Sequence, residues 1–126
     1  MFQRLHSKNL TALSMRFISN MLALLSVPLP SSIAKSGFFP LEKRHFTVIT
    51  DDRHQLTLRV EQQNNKAITT PVRNSDLGEY FRNRLGLQNG AYITQDDLER
   101  YGRTDVKFVK LDEETYYMDF SSCYSY

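Results

Sequence analysis

The sequence predicts a small barrel, mainly β with a few short helices. Three stretches carry that prediction. Residues 55–60 alternate strictly, with Leu56, Leu58 and Val60 on one face and Gln55, Thr57 and Arg59 on the other. Residues 115–120 place Tyr116, Met118 and Phe120 on one face in the same way. Between them, residues 74–87 read as one amphipathic helix with both ends marked, of a size to plug one opening of such a barrel.

The totals suit one domain. The chain has 126 residues, ordinary apolar content, and plentiful Phe and Tyr without Trp. Its single cysteine, Cys123, has no partner for an internal disulfide, which fits a reducing cytoplasm. The net charge of +2 is unevenly divided. Residues 1–44 carry six basic side chains against Glu42 alone, hence +5, whereas residues 45–126 carry ten basic and thirteen acidic ones, hence −3. Uniform basicity therefore supports no nucleic-acid reading, and any such site must be a local patch.

Residues 1–28 show the weakest pattern. Arg16 and Asn20 interrupt the apolar run expected of a signal peptide, no small-residue cleavage site follows, and the stretch is too short and too charged to span a bilayer. It reads as a poorly structured or foreign leader. The patterned elements begin after Pro28, which predicts a domain over residues 29–126 that folds without the leader. Ser31 should cap one helical turn that Gly37 ends, and Phe38-Phe39 should enter the core before Pro40. Residues 45–50 form a strand with Phe46 and Val48 on one face. Asp51-Asp52-Arg53-His54 turns the chain into the strand of residues 55–60. The polar loop Glu61-Gln62-Gln63-Asn64-Asn65-Lys66 and a short strand at 67–70 follow.

In the helix, Leu77, Tyr80, Phe81, Arg84 and Leu85 share a face, Ser75 and Asp76 mark the start, and Gly86 with Leu87 makes a Schellman-type end. Asn89-Gly90 is a turn, and residues 91–93 are expected as a brief strand. Thr94 and Asp97 resemble a capping box, with Ile93 stapled onto Leu98 and Gly102 closing the helix. Strands at 105–111 and 115–120 flank the turn Asp112-Glu113-Glu114. The sum is five or six short strands, largely antiparallel, with two or three short helices.

No catalytic constellation emerges. His6, His45 and His54 belong to no spaced metal motif, and no nucleophile elbow, P-loop or dinucleotide fingerprint occurs. No metal, cofactor or small-molecule substrate is expected. The acids at 51–52, 96–97 and 112–114 sit at turns and a helix start, where capping and solubility account for them. The loop Gln62, Gln63, Asn64, Asn65 and Lys66 sets side-chain amides, which can read adenine edges in pairs, beside a cation for phosphate. Its other reading is a solvated hairpin loop. The antiparallel hairpin brings Arg44 and Arg59 to the same end as this loop, and leaves Arg53 and Arg73 at the opposite end.

The Pro30-Ser31 opening, Phe38-Phe39-Pro40, the hairpin, the polar loop, Thr69-Thr70-Pro71, the helix ending Gly86-Leu87 and the run Thr115-Tyr116-Tyr117-Met118-Asp119-Phe120 resemble, in that order, the B3-like DNA-recognition domain of NgoFVII-type restriction endonucleases. The resemblance covers about residues 28–120. It implies an open pseudobarrel of about seven strands that grips the DNA major groove with two arms, one of them falling on Gln62–Lys66. It also implies a preceding phospholipase-D-like nuclease domain that cuts without metal. That domain has no counterpart here: His6-Ser7-Lys8 imitates its H-x-K start, but Leu13 stands where Asp is required. The family's first strand and first arm also lack a match in residues 1–28, as in a truncated fragment. The expected function is therefore a non-catalytic, sequence-specific double-stranded-DNA-binding module. The alternative is an interaction remnant or recognition subunit that docks on a separately encoded phospholipase-D-like nuclease. A small secreted binding protein would require residues 1–28 to act as a signal.

Overall fold

A computed structural model of the chain describes residues 10–16, 26–61, 67–71 and 76–122. Seven strands, β1 (Ala12–Arg16), β2 (Ser26–Pro28), β3 (Phe46–Thr50), β4 (Gln55–Glu61), β5 (Ala67–Thr69), β6 (Asp105–Asp112) and β7 (Thr115–Asp119), join in the order β1-β6-β7-β3-β4-β5-β2. Among the described residues three short helices accompany them: α1 (Ser31–Lys35), α2 (Asp76–Leu85) and α3 (Gln95–Tyr101). Among the described strands β3 and β7 run parallel, and the other neighbours are antiparallel. This is the mainly β open pseudobarrel that the sequence predicts. β4 bends through it, pairing with β3 over its first half and with β5 over its second.

The boundary expected at residue 28 does not match the strands. β1 lies well before it, pairs with β6 from Ala12↔Val109 to Arg16↔Asp105, and buries Met15 in the core. β2 pairs with β5, from Ser26↔Thr69 to Pro28↔Ala67. Both stretches, read in the sequence as leader, are strands of the sheet among the described residues. The physical reason they escape a sequence reading is their shortness. The described burial of β1 is one buried and one half-buried position among exposed ones, too little alternation to stand out in a sequence.

Phe39 occupies the centre of the core, its ring within 5.4 Å of Phe38, Phe46, Phe108 and Tyr116. These rings come from the turn after α1 and from β3, β6 and β7, so one aromatic cluster ties four parts of the chain together. The Tyr116 hydroxyl donates to the Phe38 carbonyl, which satisfies a polar group that burial would otherwise penalise. Truncating a ring buried this deeply costs about 3–5 kcal/mol.

The local end signals do what the sequence asks of them. Gly86 takes φ +76°, its N–H donates to Asn83, and Leu87 N–H donates to Arg82, the paired bonds of a Schellman end. Thr94 and Asp97 form a reciprocal capping box, and Ile93 and Leu98 are both buried. α2 closes one end of the barrel, with Phe81 edge-on to Phe120 at 5.1 Å. Two expectations fail. α1 is preceded by Pro30 and has no side-chain cap, so Ser31 is its first residue and not its cap. Residues 91–93 form no strand, because the Ala91 carbonyl accepts from Arg82 Nε and Ile93 is given over to the staple. Ser75, expected at the start of α2, lies outside the described residues.

Candidate nucleic-acid interface

The register of β4 and β5 defines one end of the barrel. Their pairing runs from Arg59↔Thr69 to Glu61↔Ala67, so the segment joining them departs from the end where β3 and β7 begin. Gln62, Gln63, Asn64, Asn65 and Lys66 themselves lie outside the described residues, as does Arg73. Arg59 is half-buried on the outward side of β4, between the fully buried Leu58 and Val60. Arg44 stands two residues before Phe46, which pairs with Leu58. Arg44 and Arg59 therefore share this end, as the antiparallel hairpin requires, while Arg53 sits in the turn at the other end. Across the same outward face, Thr115 aligns with Thr47 and Thr47 with Thr57. Such a row of hydroxyls suits phosphate oxygens.

The surroundings of Arg44 were not foreseen. Its guanidinium donates to Glu114 at 2.8 Å, both side chains being more than half exposed or close to it. That hydrogen bond raises the Arg44 pKa; a little burial opposes it, and the charges of Glu114, Glu113 and Glu42 reinforce it. Glu114 is held in turn by its backbone. Its carbonyl accepts from Thr47 N–H at 2.8 Å, and its N–H donates to the Asp112 carboxylate at 2.9 Å. On the other side, Glu42 and Lys43 both adopt left-handed φ angles, 63° and 61°, immediately before Arg44. Non-glycine residues persist in that region only where their surroundings over-determine them. Among the described residues, this end is a mixture of cations and acids, not a basic patch. The Arg44–Glu114 pair joins positions far apart in the chain, so no local sequence pattern announces it.

The opposite end holds a dense polar cluster, also unforeseen. Arg84, counted in the sequence as part of an apolar helix face, donates to both carboxylate oxygens of Asp51, at 3.0 and 2.8 Å. It also donates to the Tyr101 hydroxyl at 2.9 Å and the Phe120 carbonyl at 3.1 Å. Asp51 additionally accepts from Phe120 N–H at 2.8 Å. Burial alone would lower the Arg84 pKa, but the bonds to Asp51 with the neighbouring Tyr80 and Tyr101 raise it. Burial would likewise raise Asp52, yet hydrogen bonds from Thr50 and Tyr80, with the charge of Arg84, hold it below the usual carboxylate value. Asp51 is thus a part-buried tether between the β3–β4 turn, α2 and the end of β7, more than the local solubilising acid its sequence context suggested. Arg84 and its partners are engaged with one another, so this end is architectural.

Among the described residues, no group of three His, Cys, Asp or Glu side chains could hold a metal ion. No described helix is long and apolar enough to cross a membrane.

Comparison with known proteins gives this geometry its family. No curated protein matches the chain. A solved structure of a hypothetical Arabidopsis thaliana protein superposes with a TM-score of 0.52, covering 91% of this chain and 94% of that one at 15% identity. At that identity the likeness speaks for the fold alone. The model of the NgoFVII C-terminal B3-like DNA-binding domain matches residues 16–112, from the last residue of β1 to the last residue of β6, and so spans the central strands, all three helices and the β4–β5 segment. With the pseudobarrel and that match together, the chain belongs to the NgoFVII C-terminal B3-like DNA-binding domain family.

Proposed function

We propose that this domain recognises a specific double-stranded DNA sequence through the major groove, as the recognition part of a type II restriction system. In this reading Gln62, Gln63, Asn64 and Asn65 read base edges, and Arg44, Arg59 and Lys66 hold phosphates. The observation that carries it is the family match over residues 16–112, which includes the β4–β5 segment and both of its paired anchors. Amides beside a cation in the segment between β4 and β5 supply both kinds of contact that DNA recognition needs. The threonine row from Thr115 through Thr47 to Thr57 adds neutral donors for the backbone. Cleavage belongs in this reading to a separate nuclease unit.

The test is a salt-dependent titration against a randomised duplex pool, with sequencing of the bound fraction. A recovered consensus and a linear fall of log affinity with log salt are expected, with no strand cleavage whether or not divalent metal is present. Binding with no enriched sequence would remove the specificity, and no binding at all would remove the function.

A second reading, a recognition subunit docked on a phospholipase-D-like nuclease, is favoured by one outward row. Val109, Tyr117 and Ile49 align across β6, β7 and β3, with Ile49 38% exposed and Leu111 nearby 40% exposed. Co-elution with a nuclease chain encoded beside this one, abolished by Ile49→Glu, is the result that would support it.

A further inference from the structure

We propose that Glu114 is a counter-charge that holds Arg44 back from DNA, so that a phosphate must displace a carboxylate before Arg44 can bind. The inference rests on the DNA-binding reading above and assigns a role to a residue outside that site. Three observations carry it. Arg44 already has an anionic partner, at 2.8 Å, in a setting open enough for exchange, with side-chain exposures of 50% and 60%. Both backbones are fixed. The left-handed pair Glu42-Lys43 aims the one, and the bonds from Thr47 N–H to Glu114 and from Glu114 N–H to Asp112 set the other. Finally, Glu113 and Glu42 add negative charge around the same guanidinium.

A phosphate oxygen and a carboxylate oxygen compete for the same N–H donors, and both accept charge-assisted bonds from a guanidinium. The exchange therefore leaves Arg44 paired in either state, and only the difference between the two partners contributes to affinity. Half-exposed pairs of this kind are weak, so the restraint is one a DNA strand can overcome. Its consequence is discrimination: a duplex that fails to bring a phosphate close to Arg44 gains nothing there, and Glu114 is left close to its backbone as a repelling charge.

The experiment is a four-way comparison of the full chain, Glu114→Gln, Arg44→Gln and the double variant, each titrated with a fluorescently labelled randomised duplex between about 50 and 200 mM salt. Glu113→Gln controls for the loss of one negative charge. Glu114→Gln should bind about two- to fivefold tighter than the unaltered chain, with a salt slope steeper by about one unit, because Arg44 then neutralises a phosphate at no carboxylate's expense. Adding Arg44→Gln should erase both gains, and Glu113→Gln should tighten binding less. If Glu114→Gln binds equally or more weakly while the unaltered chain binds DNA, Glu114 positions Arg44 and the inference falls, though the DNA-binding reading stands. A gain that persists without Arg44 also overturns it, as a plain effect of net charge. If no variant binds any duplex, both ideas fall together. Equal urea midpoints for all the variants establish that folding is not the variable.

Discussion

Replacing Arg84 by Met tests whether the cluster at the helical end of the barrel holds the fold together. The side chain is 14% exposed and its partner Asp51 is 12% exposed, so both charges are largely out of water. Met keeps most of the aliphatic stem but removes the two bonds to Asp51 and those to Tyr101 and the Phe120 carbonyl. Breaking a buried pair by removing one partner costs about 3–5 kcal/mol, because the other charge stays buried. Asp51 retains one donor, Phe120 N–H at 2.8 Å, which places the expectation near the low end, at about 3 kcal/mol. A chain of this length is stable by about 6–19 kcal/mol at the usual value per residue, so the variant should remain folded but weakened. With a urea slope of about 2 kcal/mol per molar, the midpoint should fall by about 1.5 M, read by circular dichroism. Asp51→Asn should cost less than Arg84→Met, and the double variant less than their sum, since both remove the same pair. A loss for Arg84→Met within about 1 kcal/mol, the range of exposed pairs, would refute the reasoning.

Three further outcomes follow from the same structure. Asp52 and Asp119 are both held below the ordinary value of 3.8: burial works against this, and hydrogen bonds from Thr50 and Tyr80 to Asp52 and from Ser121 to Asp119, together with the charges of Arg84 and Arg103, outweigh it. The unfolded chain therefore takes up these protons first. Their contribution is complete above the ordinary value and lost as pH falls through the lower folded values. The urea midpoint should drop between about pH 5 and about pH 3, and less steeply in Asp52→Asn; equal midpoints would contradict it. Removing residues 1–28 deletes β1, β2 and the buried Met15, so the shortened chain should lose cooperative unfolding, while Met15→Ala alone should cost about 2–4 kcal/mol by denaturation. In the β4–β5 segment, Gln63→Ala with Asn65→Ala should flatten base preference in the sequenced bound pool and leave the salt slope intact. Lys66→Ala should lower the slope by about one unit, and Arg53→Ala, at the other end of the hairpin, should do neither.

What the sequence disclosed and what it withheld divide by range. The hairpin of β3 and β4, the Schellman end at Gly86 and the capping box at Thr94 are each specified within a few residues, and each formed as expected. Arg84 was placed on the right helix face, but its partner Asp51 lies in a different turn, and nothing near either residue specifies the other. The same holds for Arg44 and Glu114, so the cation was legible in the sequence and its carboxylate partner was not. Residues 91–93 were misjudged because the Arg82 side chain, reaching from the helix nine residues earlier, took the Ala91 carbonyl. β1 was missed for a related reason: its five residues become a strand only against β6, whose sequence comes much later.

That pairing bears on how the chain reaches its fold. β1 precedes β6 in the chain by about ninety residues, so Ala12 cannot meet Val109 until all the residues between them have been synthesised. The β3–β4 hairpin can form early from neighbouring residues, but the seam between β1 and β6 closes the largest loop in the sheet and should close late. Until then β6, with Val106 and Phe108 destined for the core, presents an unprotected strand edge of the sort that pairs with other chains. A nascent or end-trimmed chain is thus exposed at one and the same seam whichever terminus is lacking, and that seam is where self-association of an incomplete barrel should begin.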